Sequence, residues 1–230
     1  MPKSNRGGRR SQTQLTGGSG GKLVFGSFSD QDAQELRDDT EDLYTPSVLD
    51  AIKQYISKAT DADGYSMSQV LNNKLNNDLA LNANEKFMDK YLGQGMHDIG
   101  KDVTLYRGAH EDFLQQALGI KNYANMTEDQ LKQKLIGMEY TTKSYTSASY
   151  DKSKNPFYTG PNSGGREIEM EIKAPKTTKI VFGAKSQAET IINKKTKYRV
   201  TDLSFTGRKA TPRNSVGYKP VLKIEVEVVG

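Results

Sequence analysis

The chain has 230 residues, with 33 basic and 28 acidic side chains, no cysteine, and only two histidines, His97 and His110. Those counts exclude disulfides, thiolate metal ligands, a cysteine nucleophile and a histidine-rich metal centre, so no metal is expected. No apolar run approaches the roughly 20 residues that cross a bilayer, and no membrane contact is expected.

The opening stretch MPKSNRGGRRSQ has no hydrophobic centre, so a secretory signal peptide is not expected. The formal charge of +5 is concentrated: residues 1–22 hold five bases and no acid, leaving 28 bases against 28 acids in the remainder. The body is therefore neutral, and nucleic-acid attraction is not a property expected of it. Residues 1–22 are rich in Gly, Ser and Arg without periodicity, and they read as a disordered basic tail. SDQDAQELRDDTEDLY follows, with seven acids between Asp30 and Asp42, and reads as a short exposed helix at most. Residues 1–43 are thus expected to be a disordered basic and then acidic segment, and 44–230 a single domain.

The domain is expected to start at Thr45-Pro46, an N-cap followed by proline at the first helical position. Val48, Leu49, Ile52, Tyr55 and Ile56 then recur at helical spacing. Further helices are predicted over SMSQVLNNKLNND, from Glu85 to about Tyr91, and after Thr127, which forms a helix start with Gln130. DVTLYRGA changes to alternation, with Val103, Leu105 and Arg107 on one face. EYTTKSYTSAS, REIEMEIKA, TTKIVFG, TIINKKTKYRV and VLKIEVEVVG read as strands. In REIEMEIKA, Ile168, Met170 and Ile172 alternate with Glu167, Glu169 and Glu171. Helices followed by strands indicate an α+β domain.

Three polar features interrupt these strands. Arg107 sits within an apolar alternation, where a guanidinium is costly unless it meets an anion, and its planar fork suits a phosphate. Gly108 lets a ligand approach the backbone. Ser147 and Ser149 place small hydroxyls two residues apart. Gln187 and Glu189 place an amide and a carboxylate two residues apart, which in a strand puts both on one face. Each feature taken singly also fits ordinary strand chemistry: a solvent-facing ion pair, an edge hydroxyl, a strand cap.

Their order is more specific. LYRG, then KSYTSAS about 40 residues on, then QAETIINKKTKYRV about 40 further, resembles the Arg, Ser-Thr-Ser, Gln-x-Glu signature of bacterial and phage mono-ADP-ribosyltransferases. The sequence is most similar to the Rho-modifying clostridial exoenzymes and to the catalytic domains of binary actin-modifying toxins. Gln187, Glu189, Ile191, Ile192, Thr196, Tyr198 and Val200 carry the last motif, and the resemblance covers roughly 44–230. The sequence departs from the family at Ala148, which replaces the middle threonine, and at Asn76, where an arginine often follows Asn72 and Leu75. Phe182 is the one candidate for the aromatic commonly found near the loop tip.

The resemblance implies an ADP-ribosyltransferase-like split β-sandwich with N-terminal helices. It implies NAD+ as substrate, transfer of ADP-ribose to a macromolecular acceptor, and release of nicotinamide. Glu189 is then expected to stabilise positive charge on the ribose, and Ser147 to orient Glu189. Arg107 is expected to hold the pyrophosphate, with Arg166 a second phosphate ligand and Asn72 a further contact. Gly108 would grip the carboxamide through its backbone, and Phe157 or Tyr158 would stack on the nicotinamide. Gln187 implies an asparagine or glutamine acceptor on a protein in preference to arginine. Bases of RNA or DNA are the alternative acceptor, and an inactive virion-associated or nucleic-acid-binding module is a further alternative. A monomer acting in a cytoplasm is expected.

Overall fold

A computed structural model describes residues 24–110, 112–121, 123, 126–154, 167–209 and 220–230. The helices are α1 (Asp30–Glu41), α2 (Pro46–Tyr55), α3 (Met67–Asn76), α4 (Ala83–Gly95), α5 (Asp112–Gln116) and α6 (Glu128–Leu135). The strands are β1 (His97–Asp98), β2 (Val103–His110), β3 (Glu139–Thr141), β4 (Thr146–Ser149), β5 (Glu167–Ala174), β6 (Lys179–Phe182), β7 (Glu189–Ile192), β8 (Lys197–Lys209) and β9 (Pro220–Val228).

Local chemistry accounts for most helix starts. Thr45 caps α2 with Pro46 at its first position. Ser66, Asn82 and Thr127 close capping boxes with Gln69, Glu85 and Gln130, each satisfying donors that a bare helix end leaves unpaired. Helix α1 has the same device, Ser29 with Asp32.

The strands form one hydrogen-bonded sheet in the order β1-β6-β7-β4-β2-β5-β9-β8-β3. All pairs are antiparallel except β5 with β9. The sheet is nearly divided in two. Strands β2 and β5 pair along eight positions, whereas β2 and β4 meet only at Tyr106 and Ser149. This single bridge joins one half, β1-β6-β7-β4, to the other, β2-β5-β9-β8-β3. The α+β split sandwich expected from the sequence is thus a curled mixed sheet with a seam between β4 and β2.

Two cores flank it. Helices α2, α3 and α4 place Val48, Ile52, Tyr55, Leu71, Met88 and Leu92 against Tyr145, Val181 and Ile191. The other core joins Ile180, Phe182 and Ile192 to Leu105, Met170, Ile172, Ile224 and Val226. Strands β6 and β7 are therefore covered on both faces, and their alternate residues feed different cores. Each large aliphatic side chain so buried contributes about 1.5–3 kcal/mol.

The structure differs from the sequence expectation in several places: EYTTKSYTSAS, read as one strand, is two, β3 and β4, far apart in the sheet order, and α5 was not expected. Residues 30–41, read as an exposed acidic segment, form α1, which packs through Ala33, Arg37 and Thr40; a third of a helix face is enough to bury it although the acids dominate its composition. TIINKKTKYRV is two strands, because Lys195 takes a left-handed conformation (φ 62) and turns the chain between β7 and β8. Gln187 is not in a strand: it ends a 3-10 turn, Lys185–Gln187, and β7 begins at Glu189. The tail expected over residues 1–22 lies outside the described residues.

Candidate active site

The seam between β4 and β2 brings Arg107 to the Ser147 backbone. Arg107 lies on the core face of β2, in line with Val103 and Leu105 and opposite Met170 of β5. Its side chain reaches across the seam, and Nη1 donates to the Ser147 carbonyl at 2.7 Å. The Arg107 charge is also felt by two buried tyrosines of its own half-sheet, Tyr198 of β8 and Tyr140 of β3. Burial pushes the Tyr198 phenol up to about 12 while Arg107 draws it back, and Tyr140 shows the same opposition.

Tyr55, at the end of α2, marks the point of convergence. Burial raises its phenol above the ordinary range; the side chains of Asn72 and Ser147 and the Arg107 charge lower it, and the Glu189 carboxylate raises it. Asn72 Nδ2 donates to the Tyr55 hydroxyl at 2.8 Å, and Asn72 Oδ1 accepts from the Tyr145 amide at 3.3 Å. Asn72 therefore joins α3 to α2 and to the chain entering β4. Arg107 and Glu189, drawn from distant segments, thus act with opposite sign on one buried phenol.

Glu189 opens β7 opposite Ser149 of β4. Its carboxylate accepts from the Ala184 amide at 3.0 Å, and its main chain closes the preceding turn, with Gly183 N donating to Glu189 O at 3.0 Å. The carboxylate lies against Gly183 so closely that a Cβ there would sit 2.3 Å from Oε2. The turn contains Ala188 in a left-handed conformation (φ 48), fully buried. Gln187 is held through its backbone: the Ser149 hydroxyl lies 2.9 Å from its carbonyl. Because of the left-handed residue, Gln187 and Glu189 do not share a strand face as the i, i+2 spacing implied. They are neighbours on a turn, both half-buried.

The Ser147 side chain faces Tyr55, and the hydrogen bond to the Glu189 carboxylate comes from Ala184. Phe182, the sequence candidate for a loop-tip aromatic, is 4% exposed and belongs to the core, so it offers no ring to an acceptor. Phe157, Tyr158 and Arg166 lie outside the described residues. Among the described residues there is no group of three or more His, Asp or Glu that would hold a metal ion. No helix among them is long and apolar enough to cross a membrane.

Four residues that the motif reading did not assign also shape the site. Tyr55 was legible only as a core position of α2. Ser149, visible as the second hydroxyl of Ser-Ala-Ser, anchors Gln187. Gly183 leaves room for the Glu189 carboxylate; its place directly after an apolar strand is its only signal. Arg37, buried beneath the turn, stands among surface acids and carries no signal at all.

The split sheet that the resemblance to ADP-ribosyltransferases implied is present, with Arg107 bonded across its seam to the Ser147 carbonyl. The family model for ADP-ribosyltransferase exoenzymes matches residues 26–219. Similar folds include an ADP-ribosyltransferase from Clostridium botulinum, with TM-score 0.61, 17% identity, and coverage of 90% of this chain and 99% of that one. An ADP-ribosyltransferase toxin from Paenibacillus larvae has TM-score 0.63, 14% identity, and coverage of 89% and 99%. A protein from S. aureus, solved with NAD, has TM-score 0.62, 17% identity, and coverage of 90% and 99%. No curated protein matches the sequence. The chain belongs to the ADP-ribosyltransferase exoenzyme family, and it is an NAD+-dependent mono-ADP-ribosyltransferase that acts on a macromolecular acceptor.

Proposed function

We propose that this enzyme transfers ADP-ribose from NAD+ to an amide side chain, asparagine or glutamine, of a protein. The observation that supports the reading is the reach of Arg107 across the seam to the Ser147 carbonyl, on the strand that pairs with the one opened by Glu189. The bond between nicotinamide N1 and ribose C1′ breaks, and positive charge develops on the sugar. Glu189 lies beside that sugar and stabilises the charge, as a carboxylate does in glycoside hydrolysis. Nicotinamide leaves with the bonding electron pair. The acceptor nitrogen then bonds C1′ and loses its proton to solvent or to the Glu189 carboxylate.

Arg107 holds the pyrophosphate, for which a forked cation anchored on the β4 backbone is suited. The Gly108 backbone receives the carboxamide. Ser147 and Asn72 act through Tyr55, whose hydroxyl ties the helices to β4. Gln187 selects the acceptor: a primary amide offers both a donor and an acceptor to another amide, and it lacks the charge that would draw an arginine. The reaction takes place in a cytoplasm, where NAD+ is present, and the enzyme acts as a monomer.

Glu189→Gln should reduce NAD+ cleavage on the order of 10³-fold, because it removes the charge and leaves the shape. Near-full cleavage by that variant would remove Glu189 from the mechanism. The acceptor is identified by incubating host lysate with labelled NAD+, digesting one half with RNase, and mapping the adduct by mass spectrometry. Label on asparagine or glutamine supports the proposal. Label on arginine, or label released by nuclease, contradicts it.

A further inference from the structure

We propose that α1 is a strap that fixes the turn carrying Gln187 and Glu189, with Arg37 as a positioning residue for Glu189. The inference rests on Glu189 acting at the ribose. Arg37 is only 5% exposed. Its guanidinium lies 4.5 Å over the Phe182 ring, and Nη2 donates to the Gly183 carbonyl at 3.2 Å, a contact between residues 146 positions apart. Burying an arginine is costly unless its donors are used, so such a contact is a specific device.

Gly183 is the residue through which this contact reaches the reacting acid. Its N–H donates to the Glu189 carbonyl, and its bare Cα is the wall against which the Glu189 carboxylate rests. A recess of about 170 Å³ opens beside it, lined by Arg37, Thr40, Tyr44, Ile52, Phe182 and Gly183. The Arg37 hydrogen bond to the Gly183 carbonyl lies at this recess, where the strand end leads into the turn. Two further contacts of α1 reach the same neighbourhood. Gln34 Oε1 accepts from Lys185 Nζ at 3.3 Å, inside the turn. Asp30 pairs with Lys154 at 3.1 Å, on the segment after β4. All three lie on one edge of α1, at positions 30, 34 and 37. Displacing a reacting group by about 1 Å costs on the order of 10²-fold in rate, so a loosened turn reduces turnover without touching the NAD+ phosphates.

Arg37→Met keeps the apolar stem over Phe182 and removes the donor. Arg37→Lys keeps the charge and a donor. Each is compared with wild type for NAD+ hydrolysis, NAD+ binding and amide hydrogen exchange, below the melting temperature. In Arg37→Met, kcat should fall about tenfold or more while KM for NAD+ stays within about twofold, and the amides of residues 184–189 should exchange faster while those of α4 do not. Arg37→Lys should recover part of kcat. If Arg37→Met does not fold, the double variant Asp30→Ala, Gln34→Ala, which changes two exposed side chains, decides: exchange at 184–189 should rise at least twofold. Wild-type exchange and kcat in a folded variant of either kind overturns the proposal, as does a raised KM with unchanged kcat. Exchange does not depend on activity. Faster exchange in an enzyme whose wild type leaves NAD+ intact would therefore overturn the catalytic reading and leave the strap standing.

Discussion

Substituting Gly183 by alanine tests the geometry of the acid directly. The added Cβ would lie 2.3 Å from Glu189 Oε2, 2.7 Å from Cδ and 2.8 Å from Cγ. Ordinary contact begins near 3.4 Å, so the carboxylate must retreat by roughly 1 Å and give up its bond to the Ala184 amide. The obstacle is the far end of a flexible side chain, and Gly183 does not have the positive φ that would strain an alanine. Stability should therefore change by only about 1–2 kcal/mol. Rate should suffer more: a displacement of about 1 Å at a reacting group costs on the order of 10²-fold, or about 2.7 kcal/mol of transition-state stabilisation. The assay is NAD+ hydrolysis under saturating NAD+, with circular dichroism melting to establish that the variant is folded. A folded Gly183→Ala enzyme with kcat within threefold of wild type would show that the Glu189 position against Gly183 is not the one the reaction uses.

Three other outcomes are expected. Tyr55→Phe removes the hydroxyl that Asn72 Nδ2 donates to, which should cost about 1–3 kcal/mol and lower the melting temperature by about 2–4 °C per kcal/mol; an unchanged melting temperature would show that the Tyr55 hydroxyl contributes nothing. Arg107→Lys replaces a fork bonded to the Ser147 carbonyl by a point charge, and KM for NAD+ should rise about tenfold or more; steady-state titration with NAD+ checks this. Burial holds the His97 ring below its ordinary pKa, against the opposing influence of the Gly95 carbonyl and Asp98. Because the folded state disfavours the charged ring, its stabilising effect is complete above the unfolded value of about 6.5 and is lost as pH falls from there through the folded-state pKa. His97→Asn should therefore flatten the fall in melting temperature between pH 7.5 and 5.5, and an equal fall in both proteins would remove His97 as its source.

The helix boundaries and the alternation of β5 could be read from the sequence because they depend on residues within one turn or one strand. Ser66 and Gln69, or Thr127 and Gln130, are three positions apart and cap their helices regardless of what surrounds them. Arg107, Ser147 and Glu189 could be named because their residue types are unusual within apolar strands and their spacing resembles a known family. Sequence spacing failed at Gln187. The i, i+2 rule requires a regular strand, and a single left-handed residue, Ala188, breaks it. It failed again at residues 30–41, where a run of acids obscured the fact that Ala33, Arg37 and Thr40 share the buried edge of a helix.

The sequence by itself determined that the domain is α+β and where α2 and α6 begin, and its resemblance to a family named the candidate site residues. Only the tertiary structure decided that the sheet parts between β4 and β2, that Tyr55 is tied to Asn72, and that Arg37 reaches Gly183 across 146 residues. The physical reason is range. Caps and pleats are set by neighbours along the chain. The strand order at the seam and the burial of a surface-like arginine are set by which distant faces pack together, and no short window of sequence contains that information.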